Sequence, residues 1–254
     1  MSKNIFKKII LLVIVIIICF YILCFFKKET NEKNIKVKDQ SILINILTRS
    51  GKREQCFNNL AKSIKNQTYK NIRHIISNDN PQCKYLHNKN NVVNVKKLKK
   101  YNINHCPYNL YLNNLKNKVK KGWIIILDDD SKLIDNTFIE RLVYQIKKLK
   151  KHKAIIFDSY IGNNLLGLVK IPIPNIFGSK NFDINLIKYK RLDMTNIAFH
   201  HSVNIDFSEA CGGDFIFFKK LLEKNLVKYI KIEPGIWANY EGASNGGELI
   251  CHSD

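Results

Sequence analysis

From Gly122 to Asp130 the chain reads Gly-Trp-Ile-Ile-Ile-Leu-Asp-Asp-Asp, a wholly apolar run that stops at three consecutive carboxylates. A run this short, bounded by glycine on one side and charge on the other, predicts a strand buried on both faces of a parallel sheet. Ligands of open α/β sheets bind just beyond the carboxyl ends of such strands. Three adjacent acids at that edge repel one another, so they are costly unless a cation sits among them. The pattern points to a divalent-metal site presenting a phosphate-bearing ligand. The plainer reading is an acidic turn capping the next helix, because Asp is a common N-cap.

The chain has 254 residues. Beyond the first forty, about 210 remain, enough for one sizeable α/β domain and too few for two. No fixed-period repeat occurs, which sets solenoids and propellers aside. The formal net charge is +21 and is carried by lysine, since arginine occurs only at positions 49, 53, 73, 141 and 191. Such a surplus attracts anions: nucleotides, nucleic acid or acidic headgroups. The lysines are scattered instead of forming one stripe with interleaved aromatics, so nucleic-acid binding is not expected.

After a short N-terminal tail (1–8), residues 9–26 carry no charge and are flanked by Lys7, Lys8, Lys27 and Lys28. A helix of about 20 apolar residues crosses a bilayer core. No small-residue cleavage site follows the run at Cys24-Phe25-Phe26, so a single-pass membrane anchor is expected. Residues 27–40 read as a polar stem. Lysines on both sides of the span leave its orientation open, a type II arrangement in an endomembrane such as the Golgi or ER being one alternative. Cys56, Cys83, Cys106, Cys211 and Cys251 lie beyond the span. In a lumenal setting Cys83 and Cys106 are the pair to test first; buried free thiols are the plainer alternative, and for Cys56, on the first helix, the favoured one.

Strands are expected at 41–48, 71–77, 91–95, at the Trp123 run and at 154–158, with helices at 52–66, 107–119 and 138–149. Phe57, Leu60, Ala61 and Ile64 recur at helical spacing. Pro107 stands near the first turn of a helix whose apolar face carries Tyr108, Leu112, Leu115 and Val119. This alternation argues for an α/β, doubly wound, mostly parallel sheet flanked by helices. Beyond Ser159 the pattern loosens: extended segments at 165–171 and 193–201, a helix at 213–225, a strand at 227–232. The tail, 234–254, is glycine-bearing and reads as a loop over the site.

No Gly-x-Gly-x-x-Gly follows the first strand, no P-loop occurs, and there is no Gly-x-Ser-x-Gly elbow. Instead, carboxylates stand at strand ends: Asp79 after the second strand, and Asp128, Asp129 and Asp130 after the Trp123 run. The segments from Ser41 to Arg49, Phe57 to Ile64, Asn66-Gln67-Thr68-Tyr69, Ile72 to Asp79 and Gly122 to Asp130 together resemble family 2 glycosyltransferases, with the last segment matching their Asp-x-Asp motif. The resemblance runs from about residue 41 to 135. It implies a glycosyltransferase A-type fold, with 41–135 as the nucleotide-sugar-binding half and 136–254 as the acceptor half of one catalytic domain (41–254). It also implies a nucleotide-sugar donor and Mn²⁺ or Mg²⁺. By that likeness Thr48 and Arg49 would border the nucleotide and Asp79 would accept from the base. Asp128 would approach the ribose, Asp129 belongs with the donor-binding residues, and Asp130 with Asp128 would ligate the metal bridging the diphosphate. Asn78 stands where family members often carry a second acid.

The chemistry is consistent with this. A departing diphosphate carries charge that a metal on carboxylates neutralises, and hard divalent cations prefer oxygen ligands. An inverting transfer needs one further carboxylate as base. Asp214, in Ala-Cys-Gly-Gly-Asp-Phe, is the candidate, with Glu209 as a rival and a plain helix cap as the alternative. His200, His201 and His252 are weaker metal or diphosphate candidates, with a purely structural role the favoured reading; neighbouring strand residues point to opposite faces, so at most one of His200 and His201 reaches a given site. Trp237 and Tyr240 read either as a sugar-stacking platform or as core. Asn66-Gln67-Thr68 is formally a glycosylation sequon. The expected activity is metal-dependent, inverting transfer of a sugar from a nucleotide donor to an unknown glycan, lipid or protein acceptor. A nucleotidyltransferase using the same acids, and a basic membrane-tethered binding module, are the competing readings.

Overall fold

The computed structural model describes residues 14, 16–20, 40–51, 53–78, 80, 83–86, 91–94, 108–149, 151–161, 169–170, 194–210, 213–230, 232 and 235–238. The chain divides into two compact units, Met1–Lys36 and Val37–Asp254. In the first, Ile14 and residues 16–20 are helical with exposed side chains. The rest of the expected span 9–26 lies outside the described residues, and among those described no helix is long and apolar enough to cross a membrane.

The second unit runs β1 (Ile44–Ser50), α1 (Glu54–Lys65), β2 (Ile72–Asn78), β3 (Val92–Asn94), α2 (Tyr108–Lys118), β4 (Trp123–Ile126), β5 (Lys132–Leu133), α3 (Phe138–Lys147) and β6 (Ala154–Ile156). It continues with β7 (Tyr160–Ile161), β8 (Val169–Lys170), β9 (Ile197–His200), α4 (Gly213–Glu223), β10 (Val227–Tyr229) and β11 (Ile236–Ala238). A seven-stranded sheet has the order β10-β6-β9-β4-β1-β2-β3, and a four-stranded one the order β5-β11-β7-β8. In the large sheet every strand runs the same way except β9, which is antiparallel to both β4 and β6.

Residue parity explains the layers. Ile124 and Ile126 of β4 face a core that includes Leu112 and Leu115 of α2 with Phe217, Phe218 and Leu221 of α4. Trp123, Ile125 and Leu127 face the opposite core, built with Leu60 and Ile64 of α1 and Phe138, Ile139, Leu142 and Val143 of α3. The apolar run after Gly122 is thus buried on both sides, as such an unbroken run requires. The Asn-Gln-Thr-Tyr stretch after α1 also has a packing role: fully buried Gln67 donates to the Asp135 carbonyl at 2.9 Å and accepts from the Ile139 amide at 3.2 Å.

Several expectations need correction. Cys83 is a buried free thiol, so it is not paired with Cys106, and Cys56 is disulfide-bonded instead of free. The extended segment expected at 193–201 opens with a 3₁₀ turn, Met194–Asn196, before β9. The tail expected as loop contains β11, whose pairing with β5 and β7 gives Ile236–Ala238 ladder partners. Of 165–171, only Val169–Lys170 is described as strand.

Gly122 lies where β4 enters between its neighbours. Its φ is +88°, and a Cβ there would stand 2.3 Å from the Leu43 carbonyl oxygen. Gly122→Ala meets both a backbone clash and a conformation costly for L-residues, so it is expected to lower unfolding free energy by about 2–3 kcal/mol in urea titration.

Candidate active site

The acids after β4 sit in a tight turn. The Leu127 amide continues the ladder to the Leu47 carbonyl at 3.0 Å, and the Ser131 amide then bonds back to the Asp128 carbonyl at 2.9 Å. Asp129 and Asp130 are the central residues of that turn, with side chains only 3% and 8% exposed, whereas that of Asp128 is 47% exposed. The neighbouring strand answers with cations. Arg49 of β1 reaches Asp128 at 3.3 Å, and Arg53, at the amino end of α1, reaches Asp130 at 2.6 Å and also pairs with Asp129. A guanidinium at a helix amino end opposes the helix dipole, and the two acids it holds reverse the local sign.

Two guanidiniums do not balance three carboxylates. Burial, the Asp128 charge and that of Asp129 push Asp130 up to about 7 despite Arg53. Burial also raises Asp129, although Arg53 and a 2.8 Å hydrogen bond from the Ser50 hydroxyl oppose the shift. Burial by itself would lower Arg53, yet the three acids hold it above its ordinary value. Ser50 is also 2.8 Å from the Tyr85 hydroxyl, so buried Asp129 and Ser50 join a chain that ends in half-buried Tyr85 and Arg53.

A divalent cation fits this surplus of negative charge. The donors are carboxylate oxygens, suited to Mn²⁺ or Mg²⁺. Among the described residues no three His, Cys, Asp or Glu side chains are grouped so as to hold a metal. Asp128 and Asp130 are the residues of this turn that could hold it.

Thr48 is fully buried, its hydroxyl 2.9 Å from His74 Nε2, and His74 in turn stacks on Phe57 under α1. Asn78 and Ser77 end β2 as buried residues on the same rim. Asn80 donates to the Gly51 carbonyl at 3.1 Å and so ties this end to the β1–α1 loop. Asp79, His252 and Tyr240 lie outside the described residues.

Asp214 occupies the first turn of α4. Because α4 leads into β10, which runs parallel to β6, the helix must end at the amino edge of the sheet and begin at the carboxyl rim. Asp214 is half-buried, burial raises its carboxyl above the usual range, and Oδ1 accepts from the Phe215 amide at 2.8 Å. Glu209 is exposed. His200 is opposite Trp123 in the β4–β9 ladder, and His201 Nδ1 lies 3.3 Å from the Gly122 carbonyl oxygen. Both histidines are at the far end of β4 from the acids, because β9 is antiparallel, which removes them as ligands of that cluster. Trp237 pairs with Lys132, whose ammonium lies 5.6 Å from the ring centroid, beside the acidic turn in sequence.

Sequence reasoning missed Arg53, Ser50 and Tyr85. A signal was present for the first: two of the few arginines in a lysine-rich chain flank the first βα turn, and a guanidinium suits carboxylates better than an ammonium. It also missed the polar end of β6 and β9. There Asp158 is buried beneath the Tyr229 hydroxyl at 3.5 Å, and Asn196 donates to Ser159 Oγ at 2.8 Å. Burial and Asp158 push Tyr229 up to about 12.

By sequence the chain matches no protein-family model and no curated protein. By structure it is similar to S. aureus TarS 1–349, with a TM-score of 0.57, 14% identity, and coverage of 78% of this chain and 60% of that one. The same protein in complex with UDP-GlcNAc matches with a TM-score of 0.56 and 14% identity over 82% of this chain and 60% of that one. The mannosyltransferase PcManGT from Pyrobaculum calidifontis, in complex with GDP-Man and Mn²⁺, matches with a TM-score of 0.50 and 9% identity over 88% of this chain and 65% of that one. The chain has the fold of these proteins. It spans about three fifths of the length of the TarS chains it matches.

Two outcomes follow from the charge balance. The Asp130 carboxyl titrates higher folded than unfolded, so the folded state holds the extra proton and loses stability as pH rises from about 4 to 7. Asp130→Asn is expected to flatten that slope in denaturant titrations at stepped pH. Arg53→Ala strands two buried carboxylates and is expected to cost about 3 kcal/mol or more at neutral pH.

Proposed function

We propose that this chain is a nucleotide-sugar-dependent glycosyltransferase that uses a divalent metal, inverts the anomeric centre and works from a membrane anchor formed by residues 9–26. One observation carries the reading: Asp128 and Asp130 stand at a parallel-sheet rim with more negative charge than Arg49 and Arg53 cancel. The rim also carries the start of α4, with Asp214 in its first turn. The fold similarity to proteins bound to UDP-GlcNAc, or to GDP-Man with Mn²⁺, supports the choice of donor class. The apolar, lysine-flanked run at 9–26 supports the anchor.

In this reading Asp128 and Asp130 hold the metal, which when bound neutralises charge on the departing diphosphate. Arg49 turns from exposed Asp128 toward a phosphate oxygen, an exchange of one anion for another, while Arg53 stays with buried Asp129. Asp129 stays with Ser50 and holds the β1–α1 loop against the acidic turn. Asp214 takes the acceptor hydroxyl proton while the acceptor oxygen bonds to the anomeric carbon and the bond to the diphosphate oxygen breaks. A carboxylate whose affinity for protons is raised by burial is a better base than an exposed one. Arg49 borders the nucleotide and Asp79 accepts from the base, whereas Thr48, expected at that border, is fully buried against His74 and supports it from beneath.

Donor turnover with Mn²⁺ should release nucleoside diphosphate; release of pyrophosphate would identify nucleotidyl transfer instead. Asp130→Ala is expected to abolish metal-dependent binding of nucleoside diphosphate in calorimetry. Asp214→Asn should leave that binding within about twofold and lower transfer by about 100-fold or more. Loss of both together would remove Asp214 from the role of base.

A further inference from the structure

Between β9 and α4 the chain must climb from the amino edge of the sheet to its carboxyl rim. It does so as a strap in which Val203, Ile205 and Phe207 are buried while Asn204 and Asp206 are exposed. Phe207 stacks on Phe217 of α4 with ring centroids 4.3 Å apart, and contacts Phe199 of β9 at 6.3 Å. The alternation is that of a strand, yet residues 202–208 belong to neither sheet.

Side chains of one helix take the place of a strand neighbour. Lys116 Nζ donates to the Ile205 carbonyl at 2.7 Å and pairs with Asp206 at 2.7 Å. Asn113 uses both ends of its amide on Phe207, donating to the carbonyl at 3.0 Å and accepting from the amide at 2.8 Å. Asn109 donates to the Ser208 carbonyl at 2.5 Å. Spacings of four and three put these three residues on one face of α2. The ladder ends against the residue before Asp214: a Cβ at Gly213 would stand 2.2 Å from Asn109 Nδ2 and 2.3 Å from the Ser208 oxygen. Only a glycine fits between that amide and the start of α4.

We infer that Asn109 and Asn113 are positioning residues: their amides fix the register of the strap on α2, and through Gly213 they set where the Asp214 carboxylate stands on the rim. The inference rests on Asp214 being the base. The physical reason is that two point contacts, one of them two-ended, leave the strap no freedom to slide along α2. A slide of one residue would move its buried side chains out of the core. A misplacement of about 1 Å in such a group costs up to about 100-fold in rate.

The test is a carboxyl ¹³C titration of Asp214 in the full-length chain, assigned by comparison with Asp214→Asn, alongside donor turnover. Asn109→Ala and Asn113→Ala are each expected to bring the Asp214 midpoint down toward about 3.9, the value of an exposed Asp. They should also lower turnover at least tenfold without moving nucleoside diphosphate affinity more than twofold. Asn113→Gln keeps the amide but lengthens it, so it is expected to act in the same direction with a smaller loss of melting temperature. Melting temperatures that fall while the Asp214 midpoint stays in place would reduce the ladder to a structural clamp and overturn the inference. If the midpoint moves as expected but Asp214→Asn still transfers, the assignment of the base fails and the ladder stands.

Discussion

Three carboxylates are held at the end of a strand buried on both faces, and two guanidiniums from the next strand and its helix answer them. Much of the rim's local structure follows from that imbalance. Asp129 is consumed by Ser50 and Arg53, which fastens the β1–α1 loop over the turn. Asp130 is left under-compensated, which is why burial and its neighbours raise its proton affinity so far. Asp128, the most exposed of the three, pairs with Arg49 at 3.3 Å. An electrostatically incomplete site of this kind favours binding a further cation, and a cation bound there favours an anion beside it.

The sheet supplies the rigidity this requires. β4 lies between β1 and β9, with α2 and α4 on one face and α1 and α3 on the other. Its carboxyl end is therefore fixed by packing on both sides. The reversed strand β9 has a different consequence. It carries the chain to the wrong edge for a residue that must act at the rim, so the following segment has to recross the layer. The strap on α2 does this, and its polar contacts with Asn109, Asn113 and Lys116 satisfy backbone groups that no strand partner serves.

Legibility in the sequence followed the range of the interactions. β1, α1, β2, β4 and α3 were readable because their apolar periodicity is local, and their observed bounds differ from expectation by a few residues at most. The acidic triplet was readable because like charges adjacent in sequence are adjacent in space in any fold. Arg53 was not, because its pairing with Asp130 joins residues 77 apart. The placement of His200 and His201 was hidden for the same reason: strand parity says which face a residue takes, but only the antiparallel insertion of β9 says which end of the sheet it occupies. The cysteines were assigned by loop and helix context, and the fold pairs Cys56 while leaving Cys83 free.

The amino-acid sequence by itself determined that an apolar strand would carry three acids to the edge of an α/β sheet, since burial of such a run and repulsion within such a triplet hold whatever surrounds them. It also determined the glycine between Cys211-Gly212 and Asp214, though not its purpose. Only the tertiary structure decided which cations meet the acids, how many charges remain unbalanced, and which helix holds the start of α4 against Gly213. Those outcomes depend on distances between segments far apart in the chain, and such distances are set by the packing of layers and not by any local pattern.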